Sequence, residues 1–569
     1  MRGTLLAAIA AAAALAAGCA HRGAPAGTGE AAAPVGCAQL AGLPVAGTRI
    51  TLAEPVAAGS IALTGIQPGA PRSTARVPAH CHVQGRIAER TGIDGKPYAI
   101  GFDLRLPADW NGRFFFQGGG GTDGVLRDAI GVLTGGGNTG NALLQGYTVV
   151  FTDTGHLNEP GPNGPYQFGL DPQARADNGY NAMAQTARAA RQLIAAHYGQ
   201  APRRSYFVGC SNGGRQAMMM TQRYPEMFDG VIASAPAYRV PLASVQAAYD
   251  TQLYARAAAE QAPLAEGRPV LARAFSRGDM RLLTREVLRQ CDALDGLKDG
   301  IVDNWPACRF DAAALRCTGA KTEACLGPAQ VEALEKSFAG VKDAQGRVLY
   351  SDWTFDAGLH SVEWTRWKFG DAAQGPANAR NLALMTGALA MFFTTPPTVT
   401  TDFWAYAMGF DAARDAAKVR ATGGPFRESA MQMVAAESPD IDAYARHGGK
   451  LLFFHGVSDP VFSVKDTVRY LDRLRERYGD RTDGIARLFT VPNMAHCSGG
   501  PATDQYDGLT ALVKWVERGE APTRIVARAR PENAEVPWPG RTRPLCAWPA
   551  QPRYDGRGSI EDAASFSCR

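Results

Sequence analysis

Ser205-Tyr-Phe-Val-Gly-Cys-Ser-Asn-Gly-Gly-Arg215 is a short apolar run that ends on a serine set between glycines. The run reads as a buried strand, the glycines as a tight turn, and the residues up to Tyr224 as a helix. Within it, Gly209-Cys-Ser-Asn-Gly213 matches G-x-S-x-G. On a strand–turn–helix unit, such a turn lifts the serine hydroxyl to the carboxyl end of a sheet. It also aims the following N–H, here that of Asn212, into the same space. In a chain with 64 glycines the bare pentapeptide says little, and a plain glycine-rich turn is the alternative. The flanking strand and helix make it informative.

Further strand-like runs lie outward from this unit at Tyr98–Leu106, Arg113–Gln117, Tyr147–Thr152 and Val231–Ala235, with helical composition over Asn178–Tyr198. From about 240 to 445 the alternation lapses. The segment is rich in loops, carries Cys291, Cys308, Cys317 and Cys325, and holds aromatics such as Trp353, Trp364, Trp367, Phe392, Phe393 and Trp404. Alternation resumes at Lys450–His455, a helix near Val464–Arg477, a strand at Arg487–Val491 and a helix near Tyr506–Glu517. Strands alternating with helices predict a mostly parallel sheet covered on both faces. The expected class is α/β, one core interrupted by a large inserted lid.

A serine hydroxyl needs a base to take its proton and a carboxylate to orient that base. In α/β-hydrolases the chain order is serine, acid, histidine. Asp459 follows the Lys450–His455 strand in Gly456-Val-Ser-Asp-Pro460, and His496 follows the next strand in Val491-Pro-Asn-Met-Ala-His-Cys497. Both stand where that order requires; the alternatives are a helix-capping aspartate and a surface-loop histidine. His80 and His82 flank Cys81 like a metal pair, but no third ligand stands nearby, so a structural role is preferred. His156, just past a strand, is a possible site-lining residue. Cys210 and Cys497 adjoin the proposed nucleophile and base. If Ser211 and His496 touch, these cysteines come within disulfide range; two unrelated buried thiols are the alternative.

The 569 residues are 46% hydrophobic and 20% charged, which excludes disorder as the dominant state. Lys and Arg number 59 against 54 Asp and Glu, a net charge of +5 with no long basic run, so a nucleic-acid partner is set aside. Leu5 to Gly18 is an apolar run, too short to span a bilayer that needs ~20 helical residues but suited to a signal peptide. It ends Leu15-Ala-Ala-Gly-Cys19, like a bacterial lipobox, with Cys19 as the expected lipidation site; an ordinary secretory signal is the alternative. Of 11 cysteines, removing Cys19 leaves an even set, which suits an oxidising compartment. The expected organisation is a signal peptide at 1–18, a flexible tether at 19–36, core at 37–240, lid at 241–445 and core again at 446–569.

These motifs resemble the tannase and feruloyl esterase family, which includes bacterial mono(2-hydroxyethyl) terephthalate hydrolases. The pieces that carry the resemblance are Gln117-Gly-Gly-Gly-Gly-Thr-Asp-Gly124, Phe151-Thr-Asp-Thr-Gly-His156, Gly209-Cys-Ser-Asn-Gly-Gly-Arg215, Cys291-Asp-Ala-Leu-Asp-Gly-Leu-Lys-Asp-Gly300 and Met494-Ala-His-Cys497. The resemblance implies an α/β-hydrolase core with a lid, the triad Ser211, Asp459 and His496, and a Cys210–Cys497 disulfide. It also implies an oxyanion hole made by Asn212 N–H and an N–H of the Gly118–Gly121 loop, with Gly119 and Gly120 as candidates. Asp292, Asp295 and Asp299 lie in D-x-x-D-G-x-x-D-G, an oxygen-rich loop suited to a hard cation. The resemblance makes that cation a structural Ca²⁺, with carbonyls of Leu297 and Ile301 completing the set. By spacing and resemblance the other pairings are Cys37–Cys81, Cys291–Cys308, Cys317–Cys325 and Cys546–Cys568. His455, Phe462 and Arg380 are expected to line the substrate site, Arg380 as a candidate grip for a second carboxylate.

The activity so implied is an exported, lipid-anchored serine carboxylesterase acting on small esters of aromatic acids, of feruloyl, galloyl or terephthaloyl type. A non-catalytic surface-binding lipoprotein and an exported serine peptidase are the alternatives.

Overall fold

The computed structural model describes residues 33–64, 73–136 and 140–569. The expected signal peptide, Cys19 and most of the expected tether lie outside these residues. The main sheet is built from β1 (Thr48–Val56), β2 (His80–Thr91), β3 (Pro97–Pro107), β4 (Arg113–Gln117), β5 (Thr148–Thr152), β6 (Arg204–Cys210), β7 (Gly230–Ser234), β8 (Lys450–Gly456) and β9 (Ala486–Val491). Their order across the sheet is β1-β2-β3-β5-β4-β6-β7-β8-β9. From β5 to β9 every neighbouring pair is parallel. β1, β2, β3 and β5 pair antiparallel, so the sheet is mixed.

Crossover helices explain the parallel part. They include α1 (Ala182–Tyr198), α2 (Asn212–Arg223) and α6 (Val464–Tyr478), which connect β5 to β6, β6 to β7 and β8 to β9. Because side chains alternate along a strand, one apolar run feeds two cores. Phe114, Phe116, Leu451 and Phe453 join one core with Met183, Leu193, Met218 and Leu471. Phe115, Leu452 and Phe454 join the other with Ile130, Leu143, Leu512 and Trp515, the last two on α7 (Gly508–Arg518). Each such burial contributes roughly 1.5–3 kcal/mol. The same two-sided cover explains a departure from expectation at β3: Tyr98–Leu106 reads as a loose alternation, yet Tyr98 to Pro107 is buried throughout.

Between β7 and β8 the chain leaves the sheet and builds a third core. Helices α3 (Val240–Gln261), α4 (Arg277–Cys291) and α5 (Pro328–Ala339) belong to this segment. Val245, Tyr254, Leu283, Leu334, Trp364, Leu389 and Phe392 pack together here, and the cluster also takes in Phe168, Val461 and Phe462. Those last three follow the carboxyl ends of β5 and β8, so the inserted segment meets the sheet where its parallel strands end. Among the described residues no helix is long and apolar enough to cross a membrane.

Candidate active site

Ser211 sits at the turn between β6 and α2 with φ 62° and ψ −126°, a conformation that non-glycine residues rarely adopt. The glycines around it allow close backbone approach. A Cβ on Gly209 would lie 2.5 Å from the carbonyl carbon of Gly213, and one on Gly213 would lie 2.7 Å from the Gly119 carbonyl oxygen. The Ser211 turn is therefore pressed against the glycine loop after β4.

The fold brings Asp459 and His496 together. His496 Nδ1 lies 2.8 Å from Asp459 Oδ2, and Asp459 Oδ1 accepts the backbone N–H groups of Val461 at 2.7 Å and Phe462 at 3.0 Å. Burial pushes the Asp459 carboxyl up, but the charge of His496 and the histidines beside it outweigh this, holding it below the usual carboxylate range. His455 Nε2 is 3.6 Å from Asp459 Oδ2, too far for a hydrogen bond; its closer partner is the Phe462 carbonyl at 3.0 Å. With Nδ1 on Thr467 Oγ1 at 2.9 Å, both ring nitrogens of His455 are used, so it buttresses the Asp459 loop.

Three further hydrogen bonds hold the Asp459 and His496 loops against each other. Ser458 N–H donates to the Met494 carbonyl at 3.1 Å. Asp356, from the inserted segment, accepts from Ser458 Oγ at 2.9 Å and Asn493 N–H at 2.7 Å. Sequence reading missed Asp356, since nothing marks it in a segment that aligns with no strand–helix pattern.

The Cys210–Cys497 disulfide is present, with Cα atoms 6.0 Å apart across a sequence separation of 287. It ties the residue before Ser211 to the residue after His496. A misplacement of ~1 Å between reacting groups can cost ~100-fold in rate. Cys210→Ala with Cys497→Ala is thus expected to leave a folded protein whose turnover falls about 100-fold. A circular dichroism melt and ester kinetics on one preparation check this; wild-type turnover in the folded variant would contradict it. The structure also contains Cys37–Cys81, Cys291–Cys308, Cys317–Cys325 and Cys546–Cys568.

Aromatic rings flank His496. Phe462 and Trp367 stand edge-on to His496, with ring centroids 5.4 Å and 5.5 Å away. Two tryptophans of the inserted segment reach these residues, Trp367 beside His496 and Trp353, whose indole N–H donates to the Asp459 carbonyl at 3.2 Å; the sequence offered each only as one tryptophan among several. The Arg380 guanidinium lies 5.6 Å from the Trp367 ring centroid and pairs with Glu363, which also accepts the Trp367 indole N–H at 3.2 Å. Arg380 is thus near the site but already paired. His156 is buried, stacks on Phe168 with centroids 3.8 Å apart, and among the described residues has no hydrogen-bond partner on either ring nitrogen; burial pushes its pKa down to about 3. His80 and His82 are each engaged within the protein: His80 contacts the Pro78 carbonyl and Arg105, and His82 contacts Asp103 at 2.6 Å.

The glycine loop corrects one expectation. Gly118 N–H donates to the Val208 carbonyl at 2.8 Å, and Gly119 N–H donates to Gln216 Oε1 at 3.0 Å. An N–H held by a side-chain amide is not available to an oxyanion, so Gly119 drops out. Gly120 N–H has no partner among the described residues.

In the acidic loop, Asp292 accepts from the N–H groups of Asp299 and Gly300, and Asp295 from those of Leu297 and Asp303. Asp299 accepts from Ile301 N–H and pairs with Arg543 and Arg541. Asp303, which the sequence reading left out, is buried beside Asp295 and Asp299, and burial followed by their charges pushes its carboxyl up. The donor set suits a hard cation. Yet among the described residues no three His, Cys, Asp or Glu side chains are gathered as ligands of one ion. The acidic loop meets the His496 loop through Asn493, whose Nδ2 donates to the Gly300 carbonyl at 2.9 Å.

Comparison with known proteins gives a consistent picture. The family described as tannase and feruloyl esterase matches residues 81–569. The mono(2-hydroxyethyl) terephthalate hydrolase of Piscinibacter sakaiensis is 45% identical, covering 87% of this chain and 86% of that protein. A probable feruloyl esterase of Arthroderma benhamiae is 28% identical over 82% of this chain and 81% of its own length. The crystal structure of feruloyl esterase B from Aspergillus oryzae superimposes with a TM-score of 0.73 at 24% identity, covering 94% of this chain and 99% of that one, which bears on the fold.

Proposed function

Since this chain belongs to the tannase and feruloyl esterase family and is a carboxylic ester hydrolase, we propose that it cleaves esters of aromatic acids through a serine nucleophile and an acyl-enzyme. Ser211 attacks the ester carbonyl while His496 takes its proton. Asp459 holds the imidazole with Nδ1–H toward itself and stabilises the imidazolium that forms. The N–H groups of Asn212 and Gly120 receive the oxyanion. His496 then protonates the leaving alcohol, and water enters by the same base to release the acid.

The observation that carries this reading is the 2.8 Å His496–Asp459 contact, with the His496 loop tied by a disulfide to the Ser211 turn. Trp367 and Phe462 beside His496 support a planar acyl group, as do the names of the relatives. A panel of methyl ferulate, methyl gallate and mono(2-hydroxyethyl) terephthalate, with a peptide control, tests it. Turnover of at least one aromatic ester and none of the peptide is expected; peptide cleavage or inertness to every ester would refute it. For the terephthalate monoester, Arg380 is proposed to meet the free carboxylate by exchanging Glu363 for it.

Export with a lipid on Cys19 is proposed as well. The lipobox-like Leu15–Cys19 and the disulfide-rich fold support it.

A structural Ca²⁺ is proposed at the acidic loop, with Asp292, Asp295 and Asp299 and the carbonyls of Leu297 and Ile301 as its donors. Oxygen-only donor chemistry and a Cys291–Cys308 clasp around the loop support it. A ligand bound only by the folded state stabilises it by mass action. Chelation is therefore expected to lower Tm, and added Ca²⁺ to restore it. A Tm unchanged by both treatments would contradict the assignment.

A further inference from the structure

The glycine loop and the start of α2 come from distant parts of the chain, and one buried carboxylate joins them. Asp123 Oδ1 accepts the Asn212 side-chain N–H at 2.6 Å, and Oδ2 accepts the Gln216 side-chain N–H at 2.8 Å. Gln216 Oε1 in turn accepts Gly119 N–H at 3.0 Å. Asp123 N–H donates to the Gly120 carbonyl at 3.0 Å, closing the tight turn. On the other side, Asn212 Oδ1 accepts Arg215 Nε, and Arg215 donates to the carbonyls of Gly179 at 2.7 Å and Asn178 at 3.0 Å. Asn178 Nδ2 returns to the Thr122 carbonyl at 2.9 Å, so the network forms a closed ring.

Asp123, Asn212, Arg215 and Gln216 are all buried. A Cβ on Gly119 would lie 2.2 Å from Asp123 Oδ2, so the carboxylate itself requires glycine there. Asp123 has φ 57°, a further sign that the turn is held by its surroundings. Burial pushes its pKa up to about 6, against Gln216, Arg127 and Asn212, which favour the ionised form. Once ionised, it is an acceptor only, as two donating amides demand.

We infer that Asp123 is a positioning residue that sets the distance between the two oxyanion donors, Asn212 N–H on α2 and Gly120 N–H on the glycine loop. The inference rests on the serine-esterase reading above. An oxyanion hole works only if donors on both elements reach one point at ~2.7–3.1 Å. Asn212 is held to Asp123 through its side chain, and Gly120 through its carbonyl. No other side chain among the described residues bonds to both Asn212 and Gln216.

Asp123→Asn keeps the shape but turns one acceptor into a donor facing Asn212 or Gln216. Expected is a kcat loss of about 10–100-fold with KM within about two-fold, because the defect is felt where charge develops. Affinity for an aryl boronic acid, which mimics the tetrahedral state, should fall with kcat/KM. Adding Gln216→Glu restores the pattern: the amide introduced at position 123 then donates to the carboxylate introduced at position 216, whose other oxygen still accepts Gly119 N–H. That double variant should recover most of the lost kcat.

A lower Tm in Asp123→Asn with unchanged kcat and boronate affinity would overturn the proposal. So would failure of the double variant to recover activity while folded. Should Asp123→Asn not fold, Asn212→Ala cuts the bond to Asp123 and keeps the backbone N–H of position 212; unchanged kcat there would also overturn it. Labelling of wild type by an aryl fluorophosphonate separates the two readings. If Ser211 is unlabelled the serine reading fails, whereas a labelled Ser211 with insensitive variants sinks the brace alone.

Discussion

Ser211→Ala is expected to lower kcat for aromatic esters by about 10⁴–10⁶-fold, because in the proposed mechanism the triad acts as a unit and the residue left behind offers no nucleophile. What remains comes from the oxyanion donors and binding. Folding should survive, since the turn is held by backbone bonds: Ser211 N–H to the Ser234 carbonyl, and the N–H groups of Arg215 and Ala237 to the Ser211 carbonyl, all at 3.0 Å. Steady-state kinetics beside a melt reads both. A folded variant with near-wild-type turnover would remove Ser211 from the mechanism.

Asp459→Asn is expected to cost about 10⁴-fold in kcat through the wrong imidazole tautomer. The geometry dictates which way the new amide points. Oδ1 of Asp459 faces two backbone donors, the N–H groups of Val461 and Phe462, so that position must remain an oxygen. The NH₂ therefore lands on His496 Nδ1, donates to it, and leaves the proton on Nε2. A base with its proton on Nε2 cannot accept one from Ser211. Nitrogen-15 NMR of the imidazole should show Nε2–H in the variant and Nδ1–H in the wild type. A variant that loses kcat while keeping Nδ1–H would contradict this explanation.

The strand–turn–helix around Ser211 was legible because its signals are local: apolar residues for the strand, glycines for the close turn. Asp459 and His496 were legible as residues just past predicted strands, where the parallel sheet collects its loops. The antiparallel edge was not. His80–Thr91 mixes charge and apolar residues because one end is half solvated, so its alternation is diluted. The Asp123–Gln216 bond joins residues 93 apart, and periodicity carries no information over that distance. The same holds for Asp356, which reaches Asn493 from the inserted segment. Trp367 could not be told from Trp364 in sequence, although the first stands against His496 and the second is sealed in the inserted core.

The central claim, that Ser211 carries the acyl group, is tested most directly by acid-quenching the enzyme during turnover of a chromogenic aryl ester. The reduced protein is then digested with trypsin and the Ser205–Arg215 peptide weighed. The account predicts the acyl mass on this peptide, localised to Ser211 and absent from Ser211→Ala. Turnover with that peptide unmodified, or with the acyl group on another residue, would contradict it.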